Sequence, residues 1–282
     1  MSASHPLPPR PPGVRRGRTP ANPGSATVQV QSLTRGLAIL DCLARGEHGL
    51  TLTDIAHRLS LPPSTVHRLL ATLERGGHVY QSEPQGLWYV GLAAFTIGSS
   101  FLASREWVAQ SHRYMRHLME RSGETANLAI LDGTDAVFID QVQCHEMMRT
   151  IVKVGGRAPL HASGVGKAMF AALADDQIQA ILKVRGLPRI TENTITSPET
   201  MWASVRVIRQ RGWSFDDEEH AFGTRCVASP IYDEHAEMIG AISVAGPSSR
   251  LPDARIRELG PLVASTAETI TRQIGGRWPH PY

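Results

Sequence analysis

Between residues 63 and 75 the chain sets short polar and cationic side chains opposite an apolar stripe. If that segment is a helix, Val66, Leu69, Leu70 and Leu73 share one side, and Ser64, Thr65, His67, Arg68 and Thr72 share the other. The polar set gathers at the N-terminal end, where backbone N–H groups and the helix dipole favour an anion. Such residues at such a place fit phosphates and base edges in the major groove of duplex DNA. Arg68 reads equally as a bidentate donor to guanine and as a grip on a phosphate, whereas Ser64 and Thr65 suit phosphates better. Arg35 adds a phosphate contact from an earlier helix, and His57 and Arg58 read as ordinary surface positions.

A second set has the residue types of covalent catalysis. Cys226, with His161 or His220 and Asp216, could supply nucleophile, base and orienting acid. No local nucleophile signature accompanies them, so no enzyme is expected. The three cysteines, Cys42, Cys144 and Cys226, lie far apart with no CxxC or CxxH spacing. Neither a structural zinc nor a disulfide framework is expected, and the pattern fits a reducing cytosol. No metal or cofactor is expected.

Elements that could position these residues are legible along the chain. A length of 282 residues favours two domains. The net charge of +3 decides nothing, but its distribution does: residues 1–104 hold nine arginines and five acidic residues, +4, against −1 for the remainder. A basic front end on a near-neutral body points to a polyanion at one end only. Residues 1–29 contain seven prolines with Arg10, Arg15, Arg16 and Arg18. They cannot bury enough surface to order themselves, which predicts a disordered arm. A solubilising tail and a minor-groove arm both remain open for it. No apolar leader and no run of 18 apolar residues occurs, so a cytoplasmic protein with no membrane partner is expected.

From Gln31, Leu33, Leu37, Leu40 and Leu43 recur at helical spacing with Ser32 as cap. A second helix over 51–59 aligns Leu52, Ile55, Ala56 and Leu59, capped by Thr51 or Thr53. After the break at Ser60-Leu61-Pro62 comes the helix at 63–75, ended by Gly76-Gly77. Two strands, 78–80 and 87–90, then flank the turn 82–86. Three short helices and a hairpin make a winged helix-turn-helix over 30–91, followed by a linker helix over 92–105. Beyond it the pattern turns α+β, with strands at 126–131, 136–142, 150–154, 225–231 and 239–244. Helices are expected at 108–121, 164–173, 175–184, 198–211 and 253–274. Consecutive strands with a closing helix imply an antiparallel sheet with helices on its faces, spanning 106–276.

Several segments in fixed order resemble the IclR family of bacterial transcriptional regulators: Gln31–Gly36, Leu61–Leu70, the wing at 86–91, Ser122-Gly123-Glu124-Thr125, Pro159–Ala168, Asp216–His220, Ala241-Ile242-Ser243 and Gly246–Arg250. The likeness covers about residues 30–275 and lies nearest a branch that answers to small oxo-acids such as glyoxylate or pyruvate. It implies a GAF-like effector domain and a homodimer, often paired into a homotetramer, on a double-stranded, palindromic operator. It also implies a pocket for a small carboxylate made by the backbone N–H groups of Gly164 and Val165 with the side chains of Asp216, Cys226 and Ser243. Free N–H groups at a helix start suit a carboxylate, and Cys226 and Ser243 can hydrogen-bond a carbonyl or hydroxyl. Ala245 replaces a second serine of that branch. Thr150, Ala158 and Thr224 stand where its apolar pocket wall lies, which implies a roomier, more polar site.

Overall fold

The computed structural model describes residues 30–46 and 48–279, in two compact units that divide between residues 96 and 97. The arm expected at 1–29 lies outside the described residues.

In the first unit, helices α1 (Gln31–Ala44), α2 (Leu52–Leu59) and α3 (Pro63–Arg75) precede strands β1 (Val79–Ser82) and β2 (Leu87–Val90). Thr51 caps α2 reciprocally: its hydroxyl accepts from the Asp54 N–H at 3.1 Å, and Asp54 accepts from the Thr51 N–H at 3.1 Å. Ser60 then adopts φ 52°, the left-handed turn that redirects the chain into α3. Ile39, Leu43, Ile55, Val66, Leu70, Val79 and Trp88 form the core. The wing is an antiparallel hairpin with Tyr80 opposite Tyr89, their rings stacked at 5.4 Å. An isolated bridge from Leu50 to Trp88 ties it to the start of α2.

Helix α1 corrects the sequence reading. Its buried positions are Gly36, Ile39, Cys42 and Leu43, while Leu33 and Leu37 are exposed, and Val30 precedes it with no side-chain cap from Ser32. The segment carries apolar residues on two sides, and only the side meeting α2 and α3 enters the core. Helix α4 (Leu92–Ala103) spans the division between the units and buries none of its residues; Leu92, Phe95 and Ile97 are more than 60% exposed.

The second unit begins with α5 (Glu106–Ser122) and strands β3 (Thr125–Asp132), β4 (Asp135–Val142) and β5 (Arg157–Pro159). Helices α6 (Gly164–Ala172), α7 (Asp175–Arg185) and α8 (Pro198–Arg211) follow. Strands β6 (Ser214–Asp217), β7 (Thr224–Tyr232) and β8 (Met238–Pro247) lead to α9 (Asp253–Gln273). The six strands pair antiparallel throughout in the order β5-β4-β3-β8-β7-β6. Because side chains alternate across a sheet, Leu128, Ile242 and Val244 pack with α5 and α9 on one face. Ala129, Ala228 and Ala241 pack with α6, α7 and α8 on the other.

One expectation fails here, and one strand goes unforeseen. Residues 150–154 form no strand. The edge strand is instead Arg157–Pro159, reached through a turn at Gly155 (φ 83°), whose N–H bonds Phe138 O at 2.7 Å. Thr150, Ile151, Val152 and Val154 are β-branched and so suggest a strand, but the segment runs as irregular chain. Strand β6 was not expected, since four residues ending in two aspartates carry little strand pattern. Its side chains are held by pairing with β7.

Candidate functional site

The first candidate surface is the solvent side of α3. Val66 and Leu70 are fully buried and Leu69 and Leu73 half-buried, which fixes the helix rotation. Ser64, His67 and Arg68 are then exposed, with Thr65 half-buried at the same end. Pro63 opens the helix and no side chain caps it. Thr72 is exposed too, but its hydroxyl donates back to Arg68 O at 2.9 Å, leaving its methyl group as the outward contact. Arg35 on α1 is half-buried. The structure thus brings four of the five residues expected at DNA onto one helix and keeps Arg35 on another.

The second candidate site lies on the α6 face of the sheet. Ser163 caps α6, its hydroxyl accepting from the Gly166 N–H at 3.1 Å and donating to Pro159 O at 2.8 Å. The first turn of α6 rests on β6 and β7: Ser214 donates to Gly164 O at 2.6 Å. Asp216 and Cys226 are register partners, and Cys226 in turn pairs with Ala245. One row along, Ser243 pairs with Ala228 on one side and Asn127 on the other. Gly164, Val165, Asp216, Cys226 and Ser243 are all buried and belong to one neighbourhood. The Val165 N–H approaches the Cys226 sulfur.

Sequence reasoning missed three members of this neighbourhood: Lys167, Glu219 and Asn127. Lys167, on the second turn of α6, forms a short ion pair with Glu219, and both are buried. The Glu219 N–H bonds Asp216 Oδ1 at 2.8 Å. Asn127 accepts from Gln141 Nε2 at 2.9 Å beside Ser243. The available signals were a lysine within the otherwise small and apolar run 164–172 and an asparagine interrupting the apolar strand 125–131. The turn carrying Glu219 is held from outside: Thr191 and Thr194 donate to Glu219 O at 3.2 and 2.8 Å.

Burial governs the electrostatics. Asp216 is pushed up to about 7 by desolvation, with Lys167 and the Glu219 N–H opposing. The Cys226 thiol is pushed up to about 12, again by burial and then by the Asp216 charge. Burial also lowers His220. A thiol so placed stays protonated at neutral pH, which suits a small hydrogen-bonding filler and not a nucleophile. Among the described residues the Ser243 hydroxyl bonds no oxygen or nitrogen and has the Cys226 thiol as its weak neighbour, while Glu219 Oε2 has no hydrogen-bond partner.

Of the positions that depart from the pattern of that branch, Ala245 is buried beside Cys226, and Thr224 is half-buried at the start of β7. Thr150 lies half-buried in irregular chain. Ala158 instead lines a separate cavity of about 440 Å³ beside α7, with His161, Phe170, Ile181 and Leu182. None of Gly164, Val165, Asp216, Cys226 or Ser243 lines that cavity.

The two units match two domain families: the IclR helix-turn-helix domain over residues 32–83, and the bacterial transcriptional regulator IclR C-terminal domain over 99–272. The acetate operon repressor of Salmonella typhimurium is 48% identical over 266 residues, covering 93% of this chain and 97% of that protein. The HTH-type transcriptional repressor AllR of Escherichia coli K12 is 39% identical over 261 residues, covering 93% and 96%. Among solved structures, the IclR of Thermotoga maritima superposes with a TM-score of 0.73 at 26% identity, covering 88% of this chain and 100% of that one. An IclR homologue from Microbacterium hydrocarbonoxydans, complexed with 4-hydroxybenzoate, gives 0.73 at 24% identity, covering 86% and 99%, which speaks for the fold. With both domains matched and relatives of 39% and 48% identity along nearly the whole length, the chain belongs to the IclR family of bacterial transcriptional regulators.

Proposed function

We propose that this protein represses transcription by binding an operator through α3 and the wing, and that a small carboxylate bound beside α6 modulates that affinity. The observation that carries the DNA reading is the rotation of α3: with Val66 and Leu70 buried, Ser64, His67 and Arg68 face outward at its N-terminal end. Ser64 and Thr65 position the helix on phosphates, and Arg68 reaches a base edge or a phosphate. Arg35 contributes a phosphate contact.

The effector reading is supported by the α6 N-terminus meeting Asp216, Cys226 and Ser243, with the buried Ser243 hydroxyl offered no stronger neighbour than the Cys226 thiol. A module serving dimerisation alone gives no reason for that hydroxyl. A small oxo-acid offers both a carboxylate for the helix start and a carbonyl for the hydroxyl.

The working form is a homodimer or a pair of dimers. Leu33 and Leu37 on α1 and Leu92 and Ile97 on α4 are large, apolar and exposed. A second copy of the chain would remove these side chains from water. The protein acts in the cytoplasm, where its DNA lies, and needs no cofactor.

Fluorescence anisotropy with the DNA upstream of its own gene tests this reading. Tight, salt-sensitive binding that glyoxylate or pyruvate alters is expected. Coupling is reciprocal, so operator DNA must change ligand affinity by the same factor. Sequence-indifferent attachment alone would overturn the operator reading.

A further inference from the structure

The α6 site holds more charge than a carboxylate site needs. Lys167 and Glu219 are 3% and 5% exposed and are each other's ion-pair partners. Lys167 is therefore largely neutralised by Glu219, and its pull on Asp216, even with the Glu219 N–H beside it, falls short of the cost of burial. Asp216, 4% exposed, sits three residues before Glu219 and accepts its N–H. With every group ionised the trio carries one negative charge before any ligand arrives. A carboxylate at the α6 N-terminus would add a second negative charge in the same desolvated neighbourhood. Like charges in such surroundings are relieved by protonating one of them.

We infer that the Lys167–Glu219 pair makes Asp216 take up one proton when the effector carboxylate enters, so that the site selects singly charged acids over doubly charged ones. The inference rests on the effector-site reading above. Lys167 and Glu219 act as positioning residues: they fix the local charge without needing to touch the ligand. The other titratable groups facing Asp216 are His220 in the same turn and Cys226 on β7, with His161 beside His220. Cys226 stays protonated across the relevant range. His220, lowered by burial, is the group a control must separate. Burial already draws the Asp216 carboxyl toward neutral pH, so the proton is available at small cost. Once protonated, Asp216 becomes a donor, and the Ser243 hydroxyl, held only by the Cys226 thiol, supplies another. Two donors and the helix start suit a 2-oxo or 2-hydroxy monocarboxylate.

Isothermal titration of the full chain with glyoxylate and with pyruvate, in two buffers of different ionisation enthalpy, counts the protons. Close to one proton should be taken up per ligand at pH 8 and close to none at pH 6, with affinity falling about tenfold per pH unit above 7. Oxalate, matched in size to glyoxylate but doubly charged, should bind at least a hundredfold more weakly at pH 8. Glu219→Gln removes the charge that neutralises Lys167, and should abolish proton uptake while binding persists; His220→Gln should leave uptake intact. Should Glu219→Gln not fold, the wild-type proton count decides alone. Binding with no proton uptake at pH 8, or uptake unchanged in Glu219→Gln or lost in His220→Gln, overturns the inference and leaves the effector site standing. No binding of either monocarboxylate at any pH overturns both.

Discussion

Gly164 sits against Cys226 so closely that a β-carbon on the glycine would lie 2.5 Å from the cysteine sulfur. This contact sets the first turn of α6 directly on β7, and so sets the distance between the helix N–H groups and the sheet side chains. Gly164→Ala must push α6 off the sheet, at about 1–3 kcal/mol of stability. Thermal unfolding should show that loss, and carboxylate binding should weaken. Gly164→Ala,Cys226→Gly, which restores space, should recover part of both; an unaltered melting temperature in the single variant would contradict the packing.

Arg68→Ala should weaken operator binding by about 1–3 kcal/mol, roughly fivefold to more than a hundredfold, with the second unit still folded. If Arg68 reads guanine, the loss is confined to operators carrying that base. If it holds a phosphate, the loss is uniform and the salt dependence of binding becomes shallower by about one counterion. Anisotropy on operator and scrambled DNA across a salt series separates the two, and unchanged binding would remove Arg68 from the interface.

All three cysteines are buried, and Cys226 is pushed up to about 12. The native protein should therefore react slowly with a thiol-directed electrophile at pH 7, then rapidly at three sites in denaturant. A fast-reacting native thiol identified as Cys226 would revive the nucleophile reading.

Asp216 carries a pH signature of its own. Its folded value is raised to about 7 from an ordinary 3.8, so between those limits the folded state binds a proton that the unfolded chain has released. The stability it contributes is complete below about pH 4 and is lost as pH rises through 7, at most about 1.4 kcal/mol per pH unit. Asp216→Asn should flatten that component when denaturant midpoints of the two proteins are compared from pH 5 to 8. A parallel pH dependence in both would place the titration elsewhere.

Glu124, buried at the start of β3, receives both branches of Arg250, from Nε at 2.5 Å and from Nη2 at 2.7 Å, while Nη1 reaches Met148 O at 2.8 Å. Arg250→Met leaves a buried carboxylate without its cation and should cost about 3 kcal/mol. Replacing Glu124 by Gln in the same chain should restore part of that loss. Melting temperatures of the two single variants and the double variant test the coupling.

Much of this architecture was legible in the order of residues. The amphipathic runs at 51–59 and 63–75 announce a helix-turn-helix because their apolar spacing, capping residues and the Pro62-Pro63 break are local signals. The antiparallel character of the second unit follows from consecutive strand patterns, and the family motifs point to Gly164, Val165, Asp216, Cys226 and Ser243. Local spacing could not decide which side of α1 is buried, since Leu33-Leu37 and Ile39-Leu43 offer competing apolar sides. Nor could it exclude a strand at 150–154, where β-branched residues crowd together but the chain stays irregular.

Sequence by itself determined which residues could bind an anion and which helices could carry them, because residue type and helical period are properties of the chain. Tertiary structure alone decided that Lys167 answers Glu219 across 52 residues, and that Asp216, Cys226, Ala245, Ser243 and Asn127 fall together through strand register. Ion pairing in the interior and cross-strand register are relations between distant segments, and burial, which follows from them, sets the charge of the site.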